Sequence, residues 1–498
     1  MYWANFLHFY QPPNQLSDIL KRIVNESYRL LIKGLKNNRQ AKLTLNLNAC
    51  LTEVFAKEGY KDVINDLIFL AKRNQIEFTE TAKYHPFLPL LPEAEIKRQI
   101  KLNHLTNKKY LGNVYQPKGF FSPEMAYSPK IGQIISRLNY QWLIIDEIAF
   151  AGEKNKVDFS KTYVLKNHPG TFVYFKNEQA SNLIAGAITR SANSFLKELG
   201  DDYDRKKYLI TAMDGETFGH HRPGLEDFLF ELYSSKKLQS IFISEIPQHF
   251  TKTVPVNPLA STWSCDQSDL KKHLPYKLWY QPDNQIHRLQ WKFLYWSLKN
   301  LTDLSAKNGT GYLKARKLLD EALNSCQFWW ASKYWWSLEM IEQGAFNFLE
   351  AARATKSSKI MKRAGQFYQN ILTVAFKWQR DGVIRDFHKK QESWQQQPLK
   401  TRTSAEWFNQ LILEFEAEMK KAASGQEYEK AIKWRDAVIK LKGGNDVYDV
   451  LHVVNELHSA RKIPSVQPFL EHRQFSEFAK KYFLPHPYLN KKNGSAKK

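Results

Sequence analysis

From residue 3 to residue 246 the chain alternates short strand-like runs with helical stretches. The candidate strands are WANFLHFY (3–10), KLTLNLNA (42–49), IEFTET (76–81), GFFSPE (119–124), WLIIDE (142–147), FVYFKN (172–177), LIAGAIT (183–189), YLITAMDGE (208–216) and SIFISEI (240–246). Between most of them lie helical patterns such as LSDILKRIVNESYRLLIKGL (16–35). This alternation demands a parallel sheet with right-handed crossovers. About seven such units without a glycine-rich phosphate fingerprint point to a closed barrel more than to a dinucleotide-binding sheet. The fold class expected is therefore α/β, a distorted (β/α)7 barrel.

Polar residues fall at one kind of place in this pattern. His8 and Gln11, Asn46 and Asn48, Glu80, Glu124, Asp146 and Glu147, and Asp214 sit at or near the C-terminal ends of the candidate strands. In a barrel those ends converge on the face where active sites are built. A chain of 498 residues has room for two or three domains. From about Leu289 the strand signal stops, and aromatics recur at three- and four-residue spacing, most densely in FWWASKYWW (328–336). Helix packing accounts for most of that stripe, while the dense segment is a candidate groove lining.

Several function classes drop out on composition. No apolar run approaches the roughly 18 residues of a membrane helix. Three scattered cysteines, Cys50, Cys265 and Cys326, make no disulfide framework and no CxxC pair. With no leader-like charged and apolar segment before the first strand, a cytoplasmic protein is expected. The formal charge of +23 would suit a nucleic-acid partner, but it is spread along the chain with only a short run at NKKNGSAKK (490–498) and no recognition motif. A solvated basic surface is the simpler account, and neither nucleic acid nor membrane is an expected partner.

The segment YLITAMDGETFGHHRPG (208–224) concentrates Asp214, Glu216, His220 and His221. A metal centre would want three or four ligands at spacings such as His-x-x-x-His. His220 and His221 are adjacent, so their side chains diverge, and no metal site assembles. Paired carboxylates suit glycosidic chemistry better. One carboxylic acid protonates the leaving oxygen, and a second carboxylate attacks the anomeric carbon or activates water. Glu124 and Asp214, each at a strand end, are the pair available.

Five segments in order then carry a resemblance: LHFYQPP (7–13), TAKYHPFLPLLP (81–92), GFFSPEMAYSP (119–129), TAMDGETFGHH (211–221) and SCQFWWASKYWW (325–336). The chain resembles glycoside hydrolase family 57, which contains α-amylases, 4-α-glucanotransferases and branching enzymes. The resemblance covers roughly the first 350 residues. It implies a (β/α)7 barrel followed by an all-α region that completes the cleft, and a retaining double displacement on α-1,4-glucans or maltooligosaccharides without metal or other cofactor. Glu124 matches the family's nucleophile and Asp214 its general acid/base. His8, His85, Glu216, His220, Trp329 and Trp330 match substrate-contacting regions, and Gln11, Glu80 and Trp263 complete the expected substrate-binding set. Burial beneath an aromatic such as Trp330 and the nearby nucleophile would keep Asp214 protonated. The family's first segment commonly reads His-x-His-Gln-Pro, and here Tyr10 stands at the second histidine. Tyr10 can donate a hydrogen bond to a sugar hydroxyl but cannot carry positive charge. A catalytically weak or silent carbohydrate-binding member of the family is the alternative that substitution supports.

The domains expected are a catalytic barrel over 1–265, a helical domain over 266–395, a helical hairpin over 396–445 and a helical segment with a basic tail over 446–498. The linker is KKQESWQQQPLKTRTS (389–404). Residues 414–441, EFEAEMKKAASGQEYEKAIKWRDAVIKL, are similar to the UVR motif, a helical hairpin of excision-repair proteins that mediates protein contacts. Ala431, Trp434, Val438 and Leu441 would form the apolar stripe of its second helix. The resemblance implies a possible protein partner through 414–441.

Overall fold

Tyr2–Phe9 forms the first strand (β1) because YWANFLHF combines aromatic and β-favouring residues, and seven of its eight residues are buried. Strands buried on both faces read as near-continuous apolar runs, which is the pattern of parallel sheets covered by helices. The computed structural model describes residues 1–200, 206–302, 310–391, 397–444, 448–470 and 472–484. The basic run at 490–498 lies outside them.

The other strands are β2 (Leu43–Leu47), β3 (Ile76–Thr79), β4 (Gly119–Phe121), β5 (Trp142–Asp146), β6 (Thr162–Leu165), β7 (His168–Lys176), β8 (Tyr208–Asp214), β9 (Gln239–Ser240) and β10 (Thr253–Val256). Two sheets carry them, β3-β2-β1-β8 and β10-β6-β7-β5-β4, with β9 on β1. Backbone bonds close the sheets into a ring. Glu80 N–H donates to Gly119 O (2.8 Å) and Phe121 N–H to Glu80 O (2.9 Å), joining β3 to β4, while Asn177 N–H donates to Ile210 O (2.8 Å), joining β7 to β8. The ring β1-β2-β3-β4-β5-β7-β8 has seven strands, all parallel where they pair within a sheet. The distorted (β/α)7 barrel is the fold.

Alternation along each strand assigns side chains to the lumen. Trp142, Tyr174 and Tyr208 meet there edge to face, at 5.9 and 6.4 Å between ring centroids. Phe6 meets Phe121 at 5.1 Å and His8 meets Phe121 at 4.8 Å, one layer nearer the C-terminal rim. Gly119 is required by this packing. A Cβ built on it would fall 2.0 Å from the Trp142 ring.

Two candidate strands are not strands. LIAGAIT lies partly in the helix Glu178–Ala185, and of SIFISEI only Ser240 is in a strand, the end of β9, before a 3₁₀ turn and a short helix. A short apolar run cannot distinguish a buried strand from a buried helix. The antiparallel β6 was not foreseen; it pairs with the N-terminal part of β7 and carries β10.

The chain partitions into two compact units. The first comprises Met1–Ser181, Asp204–Glu216 and Lys236–His388. Besides the barrel it holds helices α1 (Glu93–Leu111), α2 (Gln285–Thr302), α3 (Thr310–Ala322), α4 (Leu338–Ala354) and α5 (Ser358–Arg380). The second comprises Asn182–Tyr203, Thr217–Ser235 and Lys389–Lys498. Its helices α6 (Ala405–Ser424) and α7 (Tyr428–Gly443) pair around Trp434, which is fully buried and meets Phe415 edge to face at 5.0 Å. Val438 and Leu441 are buried beside it and Ala431 is partly buried. Among the described residues no helix is long and apolar enough to cross a membrane.

Candidate active site

Strand β1 delivers His8 to the rim and β8 delivers Asp214 directly beside it, the two being register partners. Glu124 arrives from the turn Pro123–Met125 after β4. That turn is bent the way L-residues avoid: Glu124 has φ 63° and Met125 φ 47°, and His85, after β3, has φ 54°. Non-glycine residues held in the left-handed region cost about 1–3 kcal/mol each and cluster at functional sites.

Glu124 is fixed from several sides. Trp263 Nε1–H donates to its Oε2 at 2.9 Å, and Trp263 N–H donates to its backbone carbonyl at 3.2 Å. His85 Nδ1 stands 3.9 Å from its Oε1. Burial pushes the Glu124 carboxyl up to about 8, and the charge of Asp214 adds to the rise, against the hydrogen bond from Trp263. Burial also raises Asp214, to about 6, with the Lys176 ammonium opposing it. Glu216 rises to about 7, first through burial and then through Asp214. Each carboxyl is therefore held above its ordinary range, and Glu124 and Glu216 rise further through the charge of Asp214 between them.

The histidines form a chain. Asn46 Nδ2–H donates to Thr79 Oγ1 (2.9 Å), which leaves Asn46 Oδ1 to accept from His8 Nδ1–H (2.7 Å). His8 Nε2 is then the acceptor for His85 Nε2–H at 3.1 Å, and His85 Nδ1 accepts from the Ser325 hydroxyl at 2.9 Å. Neutral imidazoles satisfy every link. Burial agrees, lowering His8 to about 4 and His85 well below the usual range. Tyr10 stacks on His85 (4.1 Å, 15°), and its hydroxyl lies 3.6 Å from the Cys326 sulfur. Gln11 Nε2–H donates to Glu216 Oε1 at 2.8 Å, and the buried Tyr28 hydroxyl donates to the same oxygen.

His8, Tyr10, Gln11, His85, Glu124, Asp214, Glu216 and Trp263 are thus brought into one linked cluster. Glu80 is not. Its carboxylate is fully buried against Asn103, His104, Tyr115 and Tyr140, on the α1 side of the wall. Trp329 and Trp330 pack on each other at 4.6 Å, and Trp329 also stacks on Trp335 at 4.8 Å. The aromatic side chain bonded to a carboxylate of the pair is Trp263. His220 belongs to the second unit, where its ring lies 5.3 Å from that of His221. Sequence reasoning missed Tyr28, Ser325 and Lys176. Ser325 and Cys326 open the fifth segment, SCQFWWASKYWW, and their place beside its aromatics was the one available signal. Among the described residues no group of three or more His, Cys, Asp or Glu is placed to hold a metal ion.

The family model of glycosyl hydrolase family 57 matches residues 4–255, about half of the chain, and the model of the UvrB/uvrC motif matches residues 409–443. An α-amylase of Pyrococcus horikoshii is 24% identical over 278 residues, 53% of this chain and 43% of that protein. A 4-alpha-glucanotransferase of Thermococcus litoralis is 24% identical over 276 residues, 53% of this chain and 41% of that protein. The chain therefore spans under half the length of the curated relatives it matches. Among solved structures, the GH57-type branching enzyme of Pyrococcus horikoshii superposes with a TM-score of 0.59 at 15% identity, covering 75% of this chain and 95% of that one. The exo-type maltose-forming amylase of Pyrococcus sp. ST04 gives 0.55 at 12% identity, covering 94% and 97%. At these identities the superpositions speak to the fold: the same barrel followed by helices. The sequence match over the barrel carries the classification, and the chain belongs to glycosyl hydrolase family 57.

Proposed function

We propose that this chain is a retaining enzyme of α-1,4-glucans, hydrolase or glycosyl transferase, working through a covalent glycosyl-enzyme. The observation that carries the reading is the pair Glu124 and Asp214 on one barrel rim, close enough for the charge of one to raise the other. Such a pair resists double ionisation, so near neutrality one member carries the proton and the other the charge. Glu124 is the nucleophile. The hydrogen bond from Trp263 favours its ionised form. Burial sets the resting pair the other way, with Glu124 raised to about 8 and Asp214 to about 6. Attack therefore requires the shared proton to pass from Glu124 to Asp214 when substrate binds. Asp214 is the acid for glycosyl-enzyme formation and then the base that activates water or a sugar hydroxyl. His8, His85 and Glu216 hold sugar hydroxyls or keep the two carboxyls in place. The three cysteines are free, in keeping with a cytoplasmic protein. On α7, Tyr428, Ile432 and Ile439 are exposed, which supports docking of a protein partner through 414–441.

The test is incubation with maltoheptaose and separation of the products. Short sugars alone mean hydrolysis, a ladder above seven units means transfer, and new α-1,6 linkages mean branching. Binding without any product would sink the enzymatic reading and leave a silent glucan-binding protein. A companion expectation concerns Tyr10. Its hydroxyl contributes about 1 kcal/mol of hydrogen bonding to the sugar, so Tyr10→Phe should raise KM for maltoheptaose about 3- to 10-fold. The melting temperature should stay within about 1 °C, because the hydroxyl's neighbour in the folded protein is the Cys326 sulfur, a weak hydrogen-bonding partner.

A further inference from the structure

Beyond the carboxyl pair, the rim of the barrel holds a buried charge that the mechanism above leaves without a task. Lys176 ends β7 and Asp146 ends β5, and the two are register partners. Their side chains form an ion pair at 2.8 Å, 6% and 1% exposed. Strand alternation fixes where this pair faces. Trp142, Ile144 and Asp146 share one face of β5, Phe172, Tyr174 and Lys176 share one face of β7, and Tyr208, Ile210, Ala212 and Asp214 share one face of β8. Contacts among Trp142, Tyr174 and Tyr208 identify that face as the lumen. Strands β7 and β8 are neighbours, so Lys176 and Asp214 line the same lumen wall near its C-terminal rim.

Burying a lysine and an aspartate together costs more than an apolar pair of the same volume, so this pair is weak evidence for stability as its purpose. We propose that Lys176, clamped by Asp146, is a positioning residue that governs when Asp214 holds and when it releases its proton. The inference rests on the reading of Asp214 as acid/base. The reaction asks opposite things of that group in its two halves, donation and then abstraction. Burial pushes Asp214 up toward the protonated form, to about 6. His8 beside it on β1 is neutral and offers no counter-charge, and Tyr28 reaches Glu216, not Asp214. The Lys176 ammonium is the charge that works against burial at Asp214. Asp146 holds the ammonium, and Glu147, Glu178 and Lys154 are the other charged groups near the pair, the last two paired with each other. A neutral residue at 176 would leave Asp214 a competent acid but a poor base.

The experiment follows Asp214 directly. Full-length protein is labelled at aspartate carboxyl carbons, and the Asp214 resonance is assigned by its loss in Asp214→Asn and titrated. Lys176→Met is expected to raise the Asp214 midpoint by about one pH unit, and Lys176→Arg to leave it near the wild-type value. Should Lys176→Met fail to fold because Asp146 is left unpaired, Asp146→Asn/Lys176→Met removes both charges, and the same upward shift is expected. Activity on maltoheptaose gives the second readout, with both limbs of the pH–rate profile of Lys176→Met moving to higher pH. An unmoved Asp214 resonance in a folded neutral variant overturns the proposal, as does an arginine variant that behaves like the methionine one. The resonance reads the inference even if wild-type protein turns over no glucan, in which case the functional reading fails alone.

Discussion

Glu124→Gln and Asp214→Asn are each expected to abolish turnover of maltooligosaccharides while leaving a folded protein. Loss of the nucleophile removes the covalent route, and the rate should fall at least about 10³-fold; loss of the acid/base should cost about 10²- to 10⁴-fold. Either variant that kept near wild-type turnover would refute the assignment. Azide separates the roles. In Glu124→Ala it enters from the face the carboxylate occupied and gives a product of inverted configuration. In Asp214→Ala it attacks the glycosyl-enzyme and gives a retained one. Stability should move the other way from activity. A carboxyl whose folded value is raised from 4.5 to about 8 favours the folded state at low pH, and that advantage disappears as pH rises from about 4.5 through about 8. Wild-type protein should therefore lose melting temperature across that window, and Glu124→Gln should lose less. At pH 8 the variant is expected to be the more stable by about 1–3 kcal/mol, after allowance for the 16% exposure of the Glu124 side chain. Thermal melts of both proteins at pH 5 and pH 8 measure it.

Much of this site was legible before any coordinates because its residues sit where strands end. Strand alternation over residues 3–246 forecast the ring, and LHFYQPP, GFFSPEMAYSP and TAMDGETFGHH placed His8, Glu124 and Asp214 on its rim. What stayed hidden was pairing across long separations. Tyr28 reaches Glu216 across 188 residues and Ser325 reaches His85 across 240, and no local pattern marks such a bond. Lys176 looked like any basic residue at a strand end, and only the register with Asp146 exposes it as buried and paired. LIAGAIT was misread because apolarity without a clear period fits a buried helix as well as a strand. Glu80 followed the strand-end rule, yet the bridge that joins β3 to β4 turns its side chain toward α1.

Glu80 carries the second large expectation, on stability. It lies at the seam where the ring closes, and its backbone makes both bonds across it. Asn103 Nδ2–H (2.6 Å) and the Tyr115 hydroxyl (2.9 Å) donate to Oε1; His104 Nδ1–H (2.9 Å) and the Tyr140 hydroxyl (3.2 Å) donate to Oε2. Glu80→Ala leaves several buried donors without an acceptor and a cavity beside β4, at a cost of about 3–5 kcal/mol. Glu80→Gln keeps the shape and one of the two acceptor oxygens and should cost about 1–3 kcal/mol, less than the alanine variant. The pH dependence identifies the partner. Its hydrogen bond to Glu80 raises His104, so that link contributes below the ordinary histidine range and fades as pH rises through the raised value. The destabilisation by Glu80→Ala should therefore be greater at pH 6 than at pH 9. Because all four partners lie in the wall and none in the carboxylate cluster, KM for maltoheptaose should be unchanged well below the melting temperature. A tenfold rise in KM with an unmoved melting temperature would instead place Glu80 among the sugar ligands, against the direction its side chain takes here.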